Sequence, residues 1–135
     1  MKCRKVSFIV PIYNVAQYLH TCLDSILKQS VKNIEVICIN DCSSDKSQDI
    51  IDSFAKKDER IKSIKFAQNK GPGAARNSGF AAATGDYIRM VDGDDYIPLE
   101  STEKLLQAAL EHGSNFVRGG FAYCNKKNEI TKGYS

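Results

Sequence analysis

The sequence of 135 residues lacks tryptophan altogether, which excludes nothing by itself, but its other absences narrow the class of protein. It contains no apolar run of the length that a membrane-spanning helix needs. Its net charge is only +3, with lysine and arginine scattered along the chain, so it lacks the concentrated basic face of nucleic-acid-binding proteins. We therefore expect no membrane span within these residues and no nucleic-acid partner.

Paired cysteines are missing as well. The five cysteines are odd in number, and none has the paired spacing of zinc ligands: they are Cys3, Cys22, Cys38, Cys42 and Cys124. The apolar run after Lys5 is interrupted by Pro11 and Asn14, so we expect no signal peptide. The expected compartment is the reducing cytoplasm. Peripheral association with the inner face of a membrane, through a segment outside the sequence, is left open.

What the sequence does contain is the composition of an ordinary globular protein, 42% hydrophobic and 26% charged, at the length of one domain. Apolar runs typical of buried strands alternate with runs at helical spacing. This alternation favours a parallel α/β sheet with right-handed crossovers. Strands are predicted at residues 6–12, 34–40, 61–66, 86–91 and 115–121, and helices at 17–29, directly after 43–45, at 74–83 and at 99–111.

The sequence also predicts where the domain and some of its helices begin and end. We expect a single domain over residues 1–135, with a core at about 6–121 and a polar tail at 124–135 that is left without assigned structure. Residues 43–45 (Ser-Ser-Asp) are candidate N-caps for the second helix. Gly85 is expected to end the third helix as a C-cap. Less regular alternation in the third strand predicts a sheet edge.

Polar residues follow each of the first four predicted strands. In a parallel sheet the carboxyl ends of the strands meet at one edge, where ligands bind. All of the polar clusters fall at that edge, so we expect them to form one site: they are residues 11–14, 41–45, 69–77 and 92–95.

The acidic cluster after the fourth strand is the most informative of these. Asp92, Asp94 and Asp95 repel one another unless a cation is held among them. Oxygen ligands suit Mg²⁺ or Mn²⁺, and such ions usually serve phosphates. Gly93 is expected to leave room for the close approach of a ligand. Taken alone, the cluster also fits a solvated acidic turn.

The other clusters each allow two interpretations. Arg76 is either a guanidinium clamp on phosphate oxygens, beside free N–H groups at a helix start, or a surface arginine. Asp41 either accepts an N–H from a nucleobase or complements the dipole of the next helix. Tyr13 and Asn14 either stack on and hydrogen-bond a base, or Asn14 supplies a turn.

Four motifs in this order are specific as a set: VSFIVPIYN at residues 6–14, NDCSSD at 40–45, NKGPGAARNSG at 69–79 and VDGDD at 91–95. They resemble the donor-site motifs of family-2 inverting glycosyltransferases, and the match runs from Val6 to about Leu110. The resemblance implies the GT-A fold, a Rossmann-like three-layer α/β/α arrangement with a mainly parallel sheet. It also implies a chain cut short on its C-terminal side.

The resemblance assigns roles to individual residues. It implies that Pro11 and Tyr13 line the base pocket and that Asp41 recognises the nucleobase, commonly uracil. Cys42 stands where glycine is common in the family, a small departure that leaves the role of Asp41 in place.

At the other end of the donor, the resemblance implies that Arg76 meets the diphosphate and Asp92 the ribose. Asp94 is implied as the principal ligand of Mg²⁺ or Mn²⁺. No role is assigned to Asp95.

The implied activity is transfer of sugar from a nucleotide-diphosphate sugar, expected to be a UDP-sugar, to a saccharide or lipid-linked acceptor. Polysaccharide biosynthesis is the usual setting of the family. The family's general base lies beyond the matched portion, and Glu129 is the only carboxylate after Glu111, so no catalytic residue is assigned. We expect a chain that binds donor and metal but turns over poorly.

Two other classes of protein fit these residues poorly. A dinucleotide-binding oxidoreductase needs a third glycine after Gly71 and Gly73, where Arg76 stands. A calcium-binding loop that starts at Asp92 needs glycine where Ile97 stands. A non-catalytic nucleotide-sugar-binding module and a purely structural domain both stay open.

Overall fold

The computed structural model describes residues 4–124 and 130–134. Strands and helices alternate through most of this part of the chain. In order the elements are β1 (Val6–Ile12), α1 (Ala16–Leu27), β2 (Ile34–Asn40), α2 (Ser47–Lys57), β3 (Ile61–Lys65), α3 (Pro72–Ala82), β4 (Tyr87–Met90), α4 (Ser101–His112), β5 (Phe121–Cys124) and β6 (Ile130–Tyr134). Among the described residues, no helix is both long and apolar enough to cross a bilayer.

A four-stranded sheet forms the centre of the fold. Its strand order is β3-β2-β1-β4, and all three pairings are parallel. The predicted parallel sheet is therefore confirmed, and β3 lies at an edge as its sequence indicated. Because β1 pairs with β2 over its whole length and with β4 on its other side, the ends of these three strands lie side by side.

Both faces of the sheet are covered, which explains why β1 and β2 are almost continuously apolar. Val6, Phe8, Val10 and Ile12 pack on the side of α1, while Ile9 packs on the opposite side against α3. Burying a side chain of this size contributes about 1.5–3 kcal/mol. These two cores give the three-layer α/β/α arrangement that was predicted.

Two predicted helix ends are wrong. Lys46, outside residues 43–45, occupies the N-cap position of α2, and its own side chain makes no capping hydrogen bond. Asp45 instead reaches the helix start from one residue before the cap, where its Oδ1 accepts from Ser47 N–H at 2.9 Å. Gly85 is not a C-cap, because α3 already ends at Ala82 and Ala83 is extended. A β-carbon on Gly85 would lie 2.6 Å from Ser7 Oγ, so close packing against β1 explains this glycine.

The strand predicted at residues 115–121 is also wrong. Residues 115–120 form no regular structure, and the strand β5 begins only at Phe121. It pairs antiparallel with β6, where no structure was assigned from the sequence. Gly119 and Gly120 weaken an extended run at this point, as glycine does inside strands. Glu129 lies outside the described residues.

A buried amide holds the start of α4 in place. Gln29 is fully buried, and its Oε1 accepts hydrogen bonds from Thr102 N–H at 3.0 Å and Thr102 Oγ1 at 2.6 Å. Its Nε2 donates to the carbonyl of Pro98 at 2.7 Å. The segment that follows the acidic cluster is thus tied to the end of α1.

A buried carboxylate joins the amino ends of the strands. Glu35 is 2% exposed and accepts hydrogen bonds from Ser7 Oγ at 2.6 Å, from Thr84 N–H at 2.6 Å and from Lys62 Nζ at 2.6 Å. Burial opposes ionisation, but the hydrogen bonds from Lys62, Ser7 and Thr84 outweigh it and hold the pKa of Glu35 well below its ordinary value. Glu35 is therefore a satisfied, ionised structural group.

Replacing Glu35 by glutamine should remove an acid-sensitive part of the stability. Because the folded pKa is lowered, this stability is present above the ordinary pKa of 4.5 and is lost as the pH falls through the folded pKa. We expect Glu35→Gln to lower the free energy of unfolding at pH 7 by about 1–3 kcal/mol and to flatten its pH dependence below pH 4.5. Urea unfolding at several pH values measures both.

The exposed Glu59 supplies the control. We expect Glu59→Gln to change the free energy of unfolding by no more than about 0.5 kcal/mol at any of these pH values. An unchanged slope of unfolding free energy against pH in Glu35→Gln would contradict the assignment.

Candidate functional site

An open cleft of about 210 Å³ lies at the carboxyl edge of the sheet. The loops after β1, β2 and β4 and the start of α3 form its walls. Its lining residues are Pro11, Ile12, Tyr13, Val15, Asp41, Pro72, Ala75, Arg76, Asp92, Gly93 and Asp94. All six site residues predicted from the sequence are among them, so the structure brings the whole set together.

Backbone hydrogen bonds join the three loops where the strands end. The carbonyl of Ile12 accepts from Asp41 N–H at 2.9 Å, and the carbonyl of Pro11 accepts from Gly93 N–H at 3.2 Å. The central strand β1 thus holds the loop after β2 on one side. On its other side it holds the loop after β4 that carries Asp92, Asp94 and Asp95, which we call the acidic loop.

The acidic cluster is compact. Asp92, Asp94 and Asp95 are all exposed, and each offers an oxygen within 4.8 Å of the others. Although Asp95 is exposed as a whole residue, partial burial of its carboxyl, and then the charges of Asp94 and Asp92, raise its pKa. Burial, and then the charges of Asp95, Asp94 and Asp92, raise the pKa of the nearby Cys22 thiol to about 12. Three oxygen donors under mutual repulsion fit a hard divalent cation.

Gly93 has a packing role that differs from the ligand access expected from the sequence. A β-carbon there would lie 2.8 Å from Val15 Cγ2 and 3.2 Å from both Ile12 Cγ1 and the carbonyl oxygen of Pro11. The absence of a side chain therefore lets the acidic loop pack against the end of β1.

Arg76 faces the acidic loop across the cleft. Its Nη2 lies 3.6 Å from Asp92 Oδ1, and both side chains are substantially exposed, at 41% and 52%. Exposed ion pairs contribute only about 0–1 kcal/mol. The guanidinium can therefore exchange Asp92 for a stronger anionic partner at little cost.

Asp41 is the most buried charged residue of the cleft, at 3% exposure. Its two carboxylate oxygens accept hydrogen bonds from Lys70 N–H at 2.6 Å and Gly71 N–H at 2.9 Å. The N–H groups of Lys70 and Gly71, just before α3, are therefore engaged and not available to an anion. Each oxygen keeps a further lone pair, so Asp41 can still accept from a ligand.

Two residues near the cleft have left-handed backbones. Asn14 has φ 51° and Cys42 has φ 60°, a conformation that costs most residues about 1–2 kcal/mol. For Asn14 the structure favours the turn interpretation, because its Oδ1 accepts from Ser44 N–H at 2.8 Å. The conformation of Cys42 explains why glycine suits this position.

Sequence reasoning missed Asp45 as a contact to α1. Asp45 Oδ2 accepts from Ala16 N–H at 3.0 Å, a bond between elements far apart in sequence. It also missed the apolar lining at Val15, Pro72 and Ala75. The one signal in the sequence that could have found these residues is their position close to the end of a strand or the start of a helix.

The chain matches the family model for glycosyl transferase family 2 over residues 7–134. This match spans nearly the whole sequence, and the protein belongs to that family. An uncharacterized glycosyltransferase of Haemophilus influenzae is 42% identical over 127 residues, which cover 94% of this chain and 51% of the relative. The chain therefore spans about half the length of this relative.

Solved structures of two proteins resemble the fold. Residues 1–349 of S. aureus TarS in complex with UDP align with a TM-score of 0.75 at 34% identity, covering 81% of this chain and 33% of that TarS chain, and the complex of the same TarS residues with UDP-GlcNAc has the same score. The mannosyltransferase PcManGT of Pyrobaculum calidifontis, in complex with GDP-Man and Mn²⁺, aligns with a TM-score of 0.70 at 25% identity, covering 90% of this chain and 35% of PcManGT. The expected GT-A fold is confirmed.

Adding one methyl group at Gly93 should disturb the acidic loop. We expect Gly93→Ala to lower the free energy of unfolding by about 1–3 kcal/mol, because Val15 and the end of β1 leave no room for the β-carbon. Urea unfolding measures the loss. The control is Gly73→Ala, because nothing lies within 4 Å of a β-carbon there and alanine suits a helix better. Equal stability of the two variants would count against the packing role of Gly93.

Proposed function

We propose that this chain carries the donor site of an inverting glycosyltransferase that uses a UDP-sugar and a divalent cation, Mg²⁺ or Mn²⁺. The observation that carries the proposal is the meeting of Tyr13, Asp41, Arg76 and Asp94 in the lining of one cleft. An aromatic ring, a buried acceptor, a guanidinium and an acidic cluster are the groups that a nucleotide diphosphate and its cation require.

The diphosphate end of the donor lies between Arg76 and the acidic loop. Asp94 is the principal ligand of the cation, with Asp92 and Asp95 close enough to share it. A cation held by these carboxylates would neutralise the diphosphate and make it a better leaving group. Arg76 binds phosphate oxygens through its planar fork. PcManGT is a structural neighbour that was solved in complex with GDP-Man and Mn²⁺, which supports a divalent cation alongside the sugar donor.

The nucleoside end lies between Tyr13 and Asp41. Tyr13 is 51% exposed, so its ring can stack on a base, a contact worth about 1–3 kcal/mol. Asp41 accepts an N–H from the base edge, Pro11 completes the pocket, and Asp92 contacts the ribose. The UDP and UDP-GlcNAc complexes of TarS support a uridine nucleotide.

The reaction is a displacement at the anomeric carbon. An acceptor hydroxyl of a saccharide or lipid-linked substrate attacks opposite to the nucleotide, the new C–O bond forms, and the bond to UDP breaks with its electrons on the diphosphate. A general base takes the hydroxyl proton, and none of the described residues is assigned to that role. The free thiols of the buried Cys22 and Cys38 support the cytoplasm as the compartment, and we propose polysaccharide synthesis as the setting.

Calorimetry with UDP, with and without Mn²⁺, tests the metal site. We expect Mn²⁺ to strengthen UDP binding in the unaltered chain and to have no such effect in Asp94→Asn, which keeps the shape but removes the charge. Asp49→Asn is the matched control, since Asp49 is exposed in the first turn of α2. Full metal dependence in Asp94→Asn would place the cation elsewhere, and no heat in any case would favour a structural domain.

Arg76 should matter for the diphosphate and not for the nucleoside. We expect Arg76→Ala to weaken UDP binding about 10- to 100-fold, because a charge-assisted hydrogen bond contributes about 1.5–3 kcal/mol, and to leave uridine binding unchanged. Arg118→Ala, at an exposed position, is the control. Equal losses for UDP and uridine would refute the assigned role.

A further inference from the structure

The loop between β1 and α1 is hydrogen-bonded to the loop between β2 and α2 through Asn14. The backbone N–H of Asn14 donates to Ser43 Oγ at 3.1 Å. In the other direction, Asn14 Oδ1 accepts from Ser44 N–H at 2.8 Å and, at a longer 3.4 Å, from Asp45 N–H. One residue thus uses both its backbone and its side chain on the neighbouring loop.

Asp45 makes the reciprocal connection. Its Oδ2 accepts from Ala16 N–H at 3.0 Å, in the first turn of α1, and its Oδ1 accepts from Ser47 N–H at 2.9 Å, in the first turn of α2. A carboxylate is favourable at both places because helix N-termini carry positive partial charge. We call the contacts made by Asn14 and Asp45 the loop latch.

Tyr13 is held in place by its neighbours in the chain rather than by packing. The residue is 51% exposed, so packing in the core does not fix the position of its side chain. On one side is Ile12, whose carbonyl bonds to Asp41 N–H, and on the other is Asn14, whose φ of 51° sets the direction of the chain. The loop latch holds Asn14 in that conformation.

We infer that Asn14 and Asp45 are positioning residues, which keep Tyr13 of one loop and Asp41 of the other at the separation that a nucleobase needs. The inference rests on the proposed function. The latch touches neither Arg76 nor the acidic loop, which lie on other connections. Its loss should therefore weaken binding of the nucleoside end and spare the diphosphate end.

Two substitutions at Asn14 distinguish the contribution of its side-chain oxygen from that of its backbone conformation. Asn14→Gly tolerates the left-handed conformation but deletes Oδ1, whereas Asn14→Asp keeps an acceptor oxygen at that place. Asp45→Ala breaks the latch from the other loop, and Asp49→Ala, on an exposed residue of the same first turn, is its control. Thermal melts establish that each variant is folded at the binding temperature.

Calorimetry in Mg²⁺ then compares UDP with inorganic pyrophosphate. We expect Asn14→Gly and Asp45→Ala to bind UDP about 3- to 10-fold more weakly, since ligand binding must now order a loose aromatic side chain and its loop. Pyrophosphate binding should stay unchanged in both. Asn14→Asp and Asp49→Ala should bind UDP as the unaltered chain does.

UDP binding at full strength in both latch variants would overturn the inference, and so would an equal loss for UDP and pyrophosphate, which indicates general damage to the fold. If Asn14→Gly does not fold, Asp45→Ala decides alone. Absence of UDP binding by the unaltered chain would overturn the proposed function and the latch with it, whereas UDP binding that is indifferent to the latch overturns the latch alone.

Discussion

The parallel pairing of β1 with both of its neighbours is the constraint on which the rest of this structure depends. It places the ends of β1, β2 and β4 side by side, and the carbonyls of Ile12 and Pro11 extend that pairing into the loops through Asp41 and Gly93. Residues that are up to 83 positions apart in the sequence (Pro11 and Asp94 in the lining of the cleft) thereby become neighbours. The chemistry of the cleft follows from this geometry, as is usual for parallel sheets.

The carboxylates at the two edges of the sheet differ in whether their charge is compensated. At the amino edge, Glu35 is buried and its charge is compensated by Lys62 and by hydrogen bonds from Ser7 and Thr84, so its ionised form stabilises the fold. At the carboxyl edge, Asp94 and Asp95 belong to an acidic cluster, in which partial burial of the carboxyl and then the charges of Asp94 and Asp92 raise the pKa of Asp95. A cluster of negative charges is costly unless a ligand supplies positive charge. This difference distinguishes Glu35, a structural group, from the acidic cluster, a candidate binding site.

The sequence predicted what depends on burial and failed where tertiary contacts decide. The bounds of β1 and β2 were predicted correctly because both faces are covered and their apolar runs end abruptly. Gly85 was taken for a helix cap, whereas its packing against Ser7 has no local signal. The engagement of the Asp41 carboxylate by Lys70 and Gly71 was likewise invisible, since it joins loops about 30 residues apart. The convergence of the candidate site residues followed from topology alone.

The most direct measurement is a crystal structure of this chain with UDP and Mn²⁺. We expect the uracil ring beside Tyr13 with an N–H directed at Asp41, the diphosphate beside Arg76, and an anomalous Mn²⁺ signal at Asp94. Nucleotide density on another surface, or a manganese peak away from Asp94 and its neighbours, would contradict the proposed donor site.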